Sequence, residues 1–276
     1  MSFSVNTNAG ALIALQNLTS TQADLAKAQQ QVSTGLAVSN PGDNGAIWAI
    51  AQNQRSTSSS LDSVKQSLQR VQSTVDVATS AGSTVSDLLN QLKSKALSAT
   101  DTSLDATSRT ALNTDFQNLV TQIKNVITNA SFNGSNLLDG SVTNLQALAS
   151  ADGTQHVTVT AQNLSLSAGG ALASLSAASI STSGGASTAL TSLNSIISNV
   201  NNSLASLGSS SNSLTSQLSF VGTLQDTIDR GVGNLVDANL AKESAQLQAL
   251  QTKQSLGIQA LSIANSSTSS LLSLFR

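Results

Sequence analysis

Residues 61–99 read LDSVKQSLQRVQSTVDVATSAGSTVSDLLNQLKSKALSA, and one repeat in them decides the fold. Apolar or small residues fall at Leu61, Val64, Leu68, Val71, Val75, Ala78, Gly82, Val85, Leu89, Leu92, Ala96 and Ala99. The gaps alternate three and four without a miss. That alternation is a heptad seam, the edge of an α-helix that packs lengthwise on a partner. The pattern extends back through Thr57, Gln54, Ile50 and Ile47. The spacing therefore predicts one helix of about 55 residues, about 80 Å long at 1.5 Å per residue. Gly82 costs the helix about 1 kcal/mol, a small charge against so long a seam.

Two further seams follow. One runs Leu112, Phe116, Leu119, Ile123, Val126, Ala130, after a break at Thr102-Ser103. The other runs Leu190, Leu193, Ile197, Val200, Leu204, Leu207, Ser211, Leu214, Leu218, Val221, Gln225, Ile228, Val232, Leu235. Each stripe is half a core, so the expected solution is a long antiparallel helical bundle. Burial of a large side chain contributes about 1.5–3 kcal/mol, enough in sum for the bundle to fold alone.

Between the second and third seams the period changes. SFNGSNLLDG is turn chemistry, with Asn-Gly and Asp-Gly dipeptides. TNLQALA, the turn SADG and QHVTVTA read as a β-hairpin, with Val157 and Val159 facing in and Thr158 and Thr160 facing out. The β-hairpin region is placed at about 131–165. The Gly/Ser-rich stretch at about 166–188 has little to bury and is expected to form an exposed excursion. The fold class is mainly α, with a small β-hairpin region and paired N- and C-terminal helices.

Composition narrows the function. Only 9% of the 276 residues are charged and the net charge is −2, so no basic footprint for nucleic acid exists. With no Cys, disulfides and thiolate metal sites are excluded. His156 is the sole His and falls on a hairpin strand, where a solvated residue is the default reading and a Ser-His-Asp site has no specified acid. No His/Asp/Glu cluster has metal-ligand spacing. Gly169-Gly170 and Gly184-Gly185 lack the Lys and helix entry of a phosphate loop. Neither catalysis nor a cofactor is expected. No apolar run of about 20 residues is present to span a bilayer. Residues 1–18 lack a basic n-region and a long apolar core, so any export uses a route that does not read a signal peptide.

The two ends raise a different question. Residues 1–40 carry two charges, Asp24 and Lys27, and after Glu243 there are only Lys253 and Arg276. The first end has a seam at Leu15, Leu18, Gln22, Leu25, Gln29, Val32 and Leu36, with Leu12 one turn earlier. The last helix has one stripe at Leu240, Leu247, Leu250, Leu261, Ala264, Leu271 and Phe275. A second stripe, Leu256, Ala260, Ile263 and Leu274, lies on another face. One stripe is expected to pack on the N-terminal helix. The other needs further copies of the same chain. A pair with so many Gln, Asn and Ser on its seams is weak alone, so the ends are expected to be disordered in the monomer and to fold on assembly. The helices lack the Lys/Arg-rich polar face of a membrane-surface helix, which disfavours a membrane-active protein.

Four stretches in order resemble bacterial flagellin. SVNTNAGALIALQNL (4–18) is similar to that family's Ser-Ile-Asn-Thr-Asn opening, and VSTGLAVSNPGDNGAIWAI (32–50) to its Leu-Ser-Ser-Gly-Leu-Arg-Ile-Asn segment. NLVTQIKNVITNASFNGSNLLDG (118–140) resembles its Thr-x-Phe-Asn-Gly-x-x-Leu-Leu-x-Gly, and LGIQALSIANSSTSSLLSLFR (256–276) its closing segment. The resemblance implies a subunit of the flagellar filament, a homo-oligomer of many copies outside the cell. Residues 1–40 plus 236–276 correspond to the inner tube, and residues 41–235 to the outer bundle. It further implies passage through the flagellar export apparatus, a chaperone for the C-terminal helix, and contacts with cap, hook-junction and other flagellin proteins. A hook–filament junction protein is the nearest alternative.

Where such chains insert large outer domains, this one has only residues of about 141–188, so little outer decoration is expected. Pro41 fixes φ in the connector ahead of Asp43 and should stiffen it. Trp48 sits off the Ile47/Ile50 seam, where an aromatic reads as a contact between subunits, with a core position as the alternative. Some members carry O-linked sugars, which makes Ser181, Thr182, Ser183, Ser187 and Thr188 of the charge-free stretch candidates, against a plain solvated loop.

Overall fold

The structure, a computed structural model, describes residues 7–273, with side chains described as far as Ser266. Five helices carry it: α1 (Ala9–Thr34), α2 (Gly45–Ala99), α3 (Ala106–Asn129), α4 (Ser183–Val236) and α5 (Leu240–Ser273). Contacts divide the chain into two compact units. One is Thr57–Asp226. The other comprises the described residues up to Ser56 and from Thr227 onward.

In the first unit the heptad seam of α2 is the core. Every one of its twelve positions from Leu61 to Ala99 is buried, and α2 has the 55 residues that the spacing predicts. Gly82 has a packing reason: a Cβ there would sit 2.7 Å from Leu204 Cδ2, so the missing side chain lets α4 approach. On α4 a sealed position recurs every seven residues, at Ala186, Leu193, Val200, Leu207, Leu214 and Val221, and Ala189 and Ile196 join them near its start. Leu190, Ile197, Leu204, Ser211 and Leu218 are half-buried. Polar bridges cross between these helices. Gln72 Nε2 donates to Ser211 Oγ at 2.7 Å, and Gln225 Nε2 to Asp62 Oδ1 at 2.9 Å.

The α3 seam differs from the expected one. Phe116, Ile123 and Ala130 are sealed as predicted, but Val120 and Ile127 join them while Leu112, Leu119 and Val126 are half-buried. With apolar residues at both 119 and 120, and at both 126 and 127, two seams are available in so short a helix. Packing chose one. Arg109 belongs to the sealed face. Its guanidinium donates to the carbonyls of Ala99, of Asp101 (2.9 Å) and of Leu104 (3.2 Å), fastening the turn between α2 and α3. Asp105 caps α3 by accepting from the Ser108 amide at 2.8 Å.

Two short antiparallel pairs follow. β1 (Ser131–Phe132) pairs with β2 (Ser135–Asn136) across Asn133-Gly134, both at positive φ (48° and 79°), the conformation that an Asn-Gly hairpin turn requires. β3 (Asn144–Leu148) pairs with β4 (His156–Thr160), with Leu145 opposite Val159 and Ala147 opposite Val157. Val159 is sealed, Val157 half-buried, and Thr158 and Thr160 face out, as the alternation predicts. The hairpin is tied to α2 by the Leu148 amide, which donates to Ser67 Oγ at 3.1 Å.

The expected exposed excursion is corrected by the structure. Leu172, Leu175 and Ile180 are fully buried, a 3-10 turn forms at Ala173–Leu175, and α4 begins at Ser183. The Ile180 amide donates to Asn113 Oδ1 of α3 at 2.9 Å. Gly170 passes so close to Ser165 that a Cβ would lie 2.0 Å from its carbonyl oxygen. Three apolar residues without a period are invisible to a periodicity argument, yet each finds a place through contacts distant in sequence. Thr182 then starts α4, its hydroxyl oxygen accepting from the Gly185 amide at 3.0 Å.

Candidate functional site

The terminal helices α1 and α5 pair antiparallel in the second unit. Small residues set their register. A Cβ on Gly257 would meet Leu18 Cδ1 at 3.3 Å, and one on Gly10 would meet Ala264 Cβ at 3.9 Å. Asn8 locks the end. Its Oδ1 accepts from the Ala11 amide at 3.0 Å while its Nδ2 donates to the Ala264 carbonyl at 2.8 Å.

The face that α1 turns toward α5 is rotated from the expected stripe. Leu18 is buried and Leu25 and Val32 are half-buried, as expected, but their companions are Ala11, Ala14, Thr21 and Ala28. Gln22 and Gln29 are exposed, and so is Leu15. Small residues allow close approach of two helices, which the larger Leu12, Ile13 and Leu15 would prevent. On α5 the expected stripe does face α1: Leu250 is buried and Leu247, Leu261 and Ala264 are half-buried, whereas Leu240 is exposed. Leu256 and Ile263, with Ala260 between them, are exposed. The side chain of Leu271, and Leu274 and Phe275 altogether, lie outside the described residues.

The pair buries Leu18 and Leu250 but leaves four other large aliphatic side chains mostly in solvent. Leu12, Ile13, Leu256 and Ile263 are 58%, 61%, 59% and 70% exposed. Two grooves flank the pair on opposite sides. One is lined by Asn8, Ala11, Leu12, Leu15 and Leu261, the other by Asn17, Leu18, Thr21, Leu256 and Ala260. Ile13 and Ile258 are also exposed and belong to neither expected stripe. Heptad spacing does not mark them; their signal in the sequence is a bulky aliphatic beside a seam in a chain end almost without charge.

A connector joins each terminal helix to the long ones. α1 ends on Gly35 at φ 72°, a left-handed cap. Leu36 then bridges to Asp237, and the Ala37 and Ala238 amides donate to the Val236 and Gly35 carbonyls at 2.7 and 2.8 Å. Pro41 is exposed at the tip of the next turn. That turn is organised by Asp43, whose Oδ2 accepts from the Ser39 amide (3.0 Å), the Ser39 hydroxyl (3.1 Å) and the Asn40 amide (3.2 Å). The Ser39 amide is foremost in holding the Asp43 carboxyl below its ordinary range, against a smaller cost of burial. Trp48 is half-buried and packs on a small cluster of Val38, Ala51, Val232 and Val236. Its neighbour Ile50, which the sequence puts on the seam, is half exposed, because Ala51 takes the inward place.

The proposed sugar acceptors fall at the start of α4. Ser181, Thr182, Ser187 and Thr188 are exposed and Ser183 is half-buried. Ser187 and Thr188 donate to the Ser183 and Gly184 carbonyls, and Thr182 is the helix cap described above. His156 is exposed on β4. Among the described residues no group of three His, Cys, Asp or Glu could hold a metal, and no helix is long and apolar enough to cross a membrane.

A helical bundle whose two chain ends pair with each other, and still display uncovered aliphatic stripes, defines a self-associating structural protein. Comparison with known proteins agrees. Residues 5–143 match the bacterial flagellin N-terminal helical region and residues 190–275 the bacterial flagellin C-terminal helical region. Flagellin FljM of Caulobacter vibrioides is 54% identical over 273 residues, covering 99% of this chain and 98% of that protein. A flagellin of Brucella melitensis is 38% identical over 287 aligned residues, covering 99% of each. The crystal structure of Bacillus cereus flagellin shares the fold with a TM-score of 0.50 at 22% identity, over 56% of this chain and 88% of that one. The chain belongs to the bacterial flagellin family and is a structural subunit that polymerises into the flagellar filament.

Proposed function

We propose that the α1/α5 pair is the assembly surface, and that the filament is held together by burying it among copies of the same pair. The residues that carry this role are Leu12, Leu15, Leu18, Leu25, Val32 and Leu36 on the N-terminal side. On the C-terminal side they are Leu247, Leu250, Leu256, Leu261, Ile263, Leu271, Leu274 and Phe275. One observation supports the reading above all: with the pair formed, Leu12, Ile13, Leu15, Leu256 and Ile263 are still exposed to solvent. Residues 1–40 plus 236–276 then form the inner tube and residues 41–235 the outer wall, with Pro41, Asp43 and Trp48 in the stiffened connector and its subunit contacts.

The subunit leaves the cell through the flagellar export apparatus and acts outside it. A chaperone covers the C-terminal helix beforehand, and cap and hook-junction proteins meet the same surface at the filament ends. Other flagellins of equal length are compatible partners in one filament. Ser181, Thr182, Ser183, Ser187 and Thr188 are the candidate acceptors for O-linked sugar, on a stretch whose neutral surface depends on hydroxyls and amides for hydration. The enzyme reading has no constellation behind it.

The test is a chain ending at Ser255. Seeded with filament fragments, the full chain elongates and the shortened one stays monomeric while its circular dichroism keeps the signal of the bundle. Elongation by the shortened chain would remove α5 from the assembly surface.

A further inference from the structure

One groove beside the α1/α5 pair carries a charge on its rim. Leu18, Gly257, Leu256 and Ala260 line it, and Lys253 stands at its α5 edge. The α1 edge is the row Asn17, Thr21 and, one turn on, Asp24, at spacings of four and three that keep them in line. Asp24 and Lys253 are both exposed, and among the described residues no hydrogen bond or ion pair engages either.

The other charges nearby lie off the groove. Lys27 is exposed and makes only a minor electrostatic contribution to Asp43, whose carboxyl is held low chiefly by the Ser39 amide. Glu243, in the first turn of α5, is half-buried on the stripe that faces α1. Lys242 is exposed beside it, at the far end of α5 from the groove. Asp24 is thus the exposed carboxylate of the two helices, and Lys253 the exposed cation at the groove.

Covering this groove with apolar surface would strand an ammonium and a carboxylate without water unless each meets a partner. Within one chain the two lie on opposite rims, so a segment seated in the groove comes between them. We propose that the groove receives α1 of an adjacent copy, and that Lys253 pairs with Asp24 of that copy. The pair selects the register in which neighbours dock. In helices otherwise uncharged over long stretches, aliphatic contact alone would tolerate a slip of one heptad; a single ion pair does not. This inference rests on the reading that the terminal pair is buried between copies.

The experiment is seeded elongation of four full-length proteins, Lys253→Glu, Asp24→Lys, the two combined in one chain, and Leu256→Ala with Ile263→Ala, followed by sedimentation. Circular dichroism and thermal midpoints matching the parent establish that each is folded before seeding. The expected result is that each single charge variant raises the critical concentration at least about tenfold, and that an equimolar mixture of the two returns it to within about threefold of the parent. When the two variants alternate in the mixture, the carboxylate introduced at position 253 of one meets the ammonium introduced at position 24 of the other.

Three results overturn the proposal. Single variants that elongate like the parent, while the aliphatic variant does not, would leave the buried-pair reading standing and remove the ion pair. Rescue in the doubly substituted chain but not in the mixture would place the pair within one molecule. Parent-like elongation by the aliphatic variant would remove the underlying reading and the ion pair with it.

Discussion

Replacing Leu256 and Ile263 by Ala separates assembly from folding in a single variant. Both side chains are mostly in solvent, at 59% and 70% exposure, so the isolated chain loses less buried surface than the assembly does. Ala also keeps the helix propensity high. Each substitution deletes three carbons. At about 0.8 kcal/mol per buried methylene, scaled by the exposure still to be removed, the loss is about 1.5 kcal/mol at each site and about 3 kcal/mol together. A change of about 1.4 kcal/mol is tenfold in an equilibrium constant, so the critical concentration for elongation should rise roughly a hundredfold. The assay is seeded growth across a concentration series, with unpolymerised protein measured in the supernatant after sedimentation. On the same scale the part of each side chain already covered within one chain bounds the monomer's loss at about 2 kcal/mol, so thermal unfolding of the unpolymerised variant should move by less than that. A critical concentration within about threefold of the parent would refute the reasoning. So would a large loss of monomer stability, since it would mean that the two side chains are already buried within one molecule.

Three other outcomes follow from the same structure. Arg109→Met removes a buried guanidinium from three carbonyls and leaves acceptors unpaired at the α2–α3 turn, which should cost about 3 kcal/mol in urea unfolding; a loss under about 1 kcal/mol would show that water replaces it. Asp43 has its folded pKa depressed, so its contribution is present above the ordinary aspartate value of about 3.9 and is lost as pH falls through the folded value. Amide exchange at Ser39 and Asn40 should therefore quicken in acid below about pH 4 in the parent, and be insensitive to that step in Asp43→Asn. The intact mass of filament protein should exceed the 28.0 kDa of the bare chain by whole sugar units; the bare mass would dismiss the acceptors at the start of α4.

The long helices were legible because repetition is a strong signal. Twelve positions of one seam, from Leu61 to Ala99, agree with one another, and tertiary packing had no competing face to prefer. The hairpin was legible for the same reason at period two, with Val159 inward and its threonines outward. The misreadings fall where the pattern was short or doubled. On α3, paired apolar residues at 119–120 and 126–127 offered two seams. On α1, a stripe drawn through the largest residues chose Leu15, while the interface chose Ala14 and Ala11 because a helix pair closes on its small residues.

What the chain order of residues settled alone is the class of fold: heptad spacing fixes which edge of α2 must be covered, and near-absence of charge fixes that both ends need apolar company. Which residues remain uncovered was decided only in three dimensions. Leu172, Leu175 and Ile180 have no period and are sealed by contacts far away in sequence, whereas Leu12, Leu256 and Ile263 sit in a helical pattern and are left outside. Burial is a property of the surface a side chain meets, and that surface exists only once the helices have chosen their distance of approach.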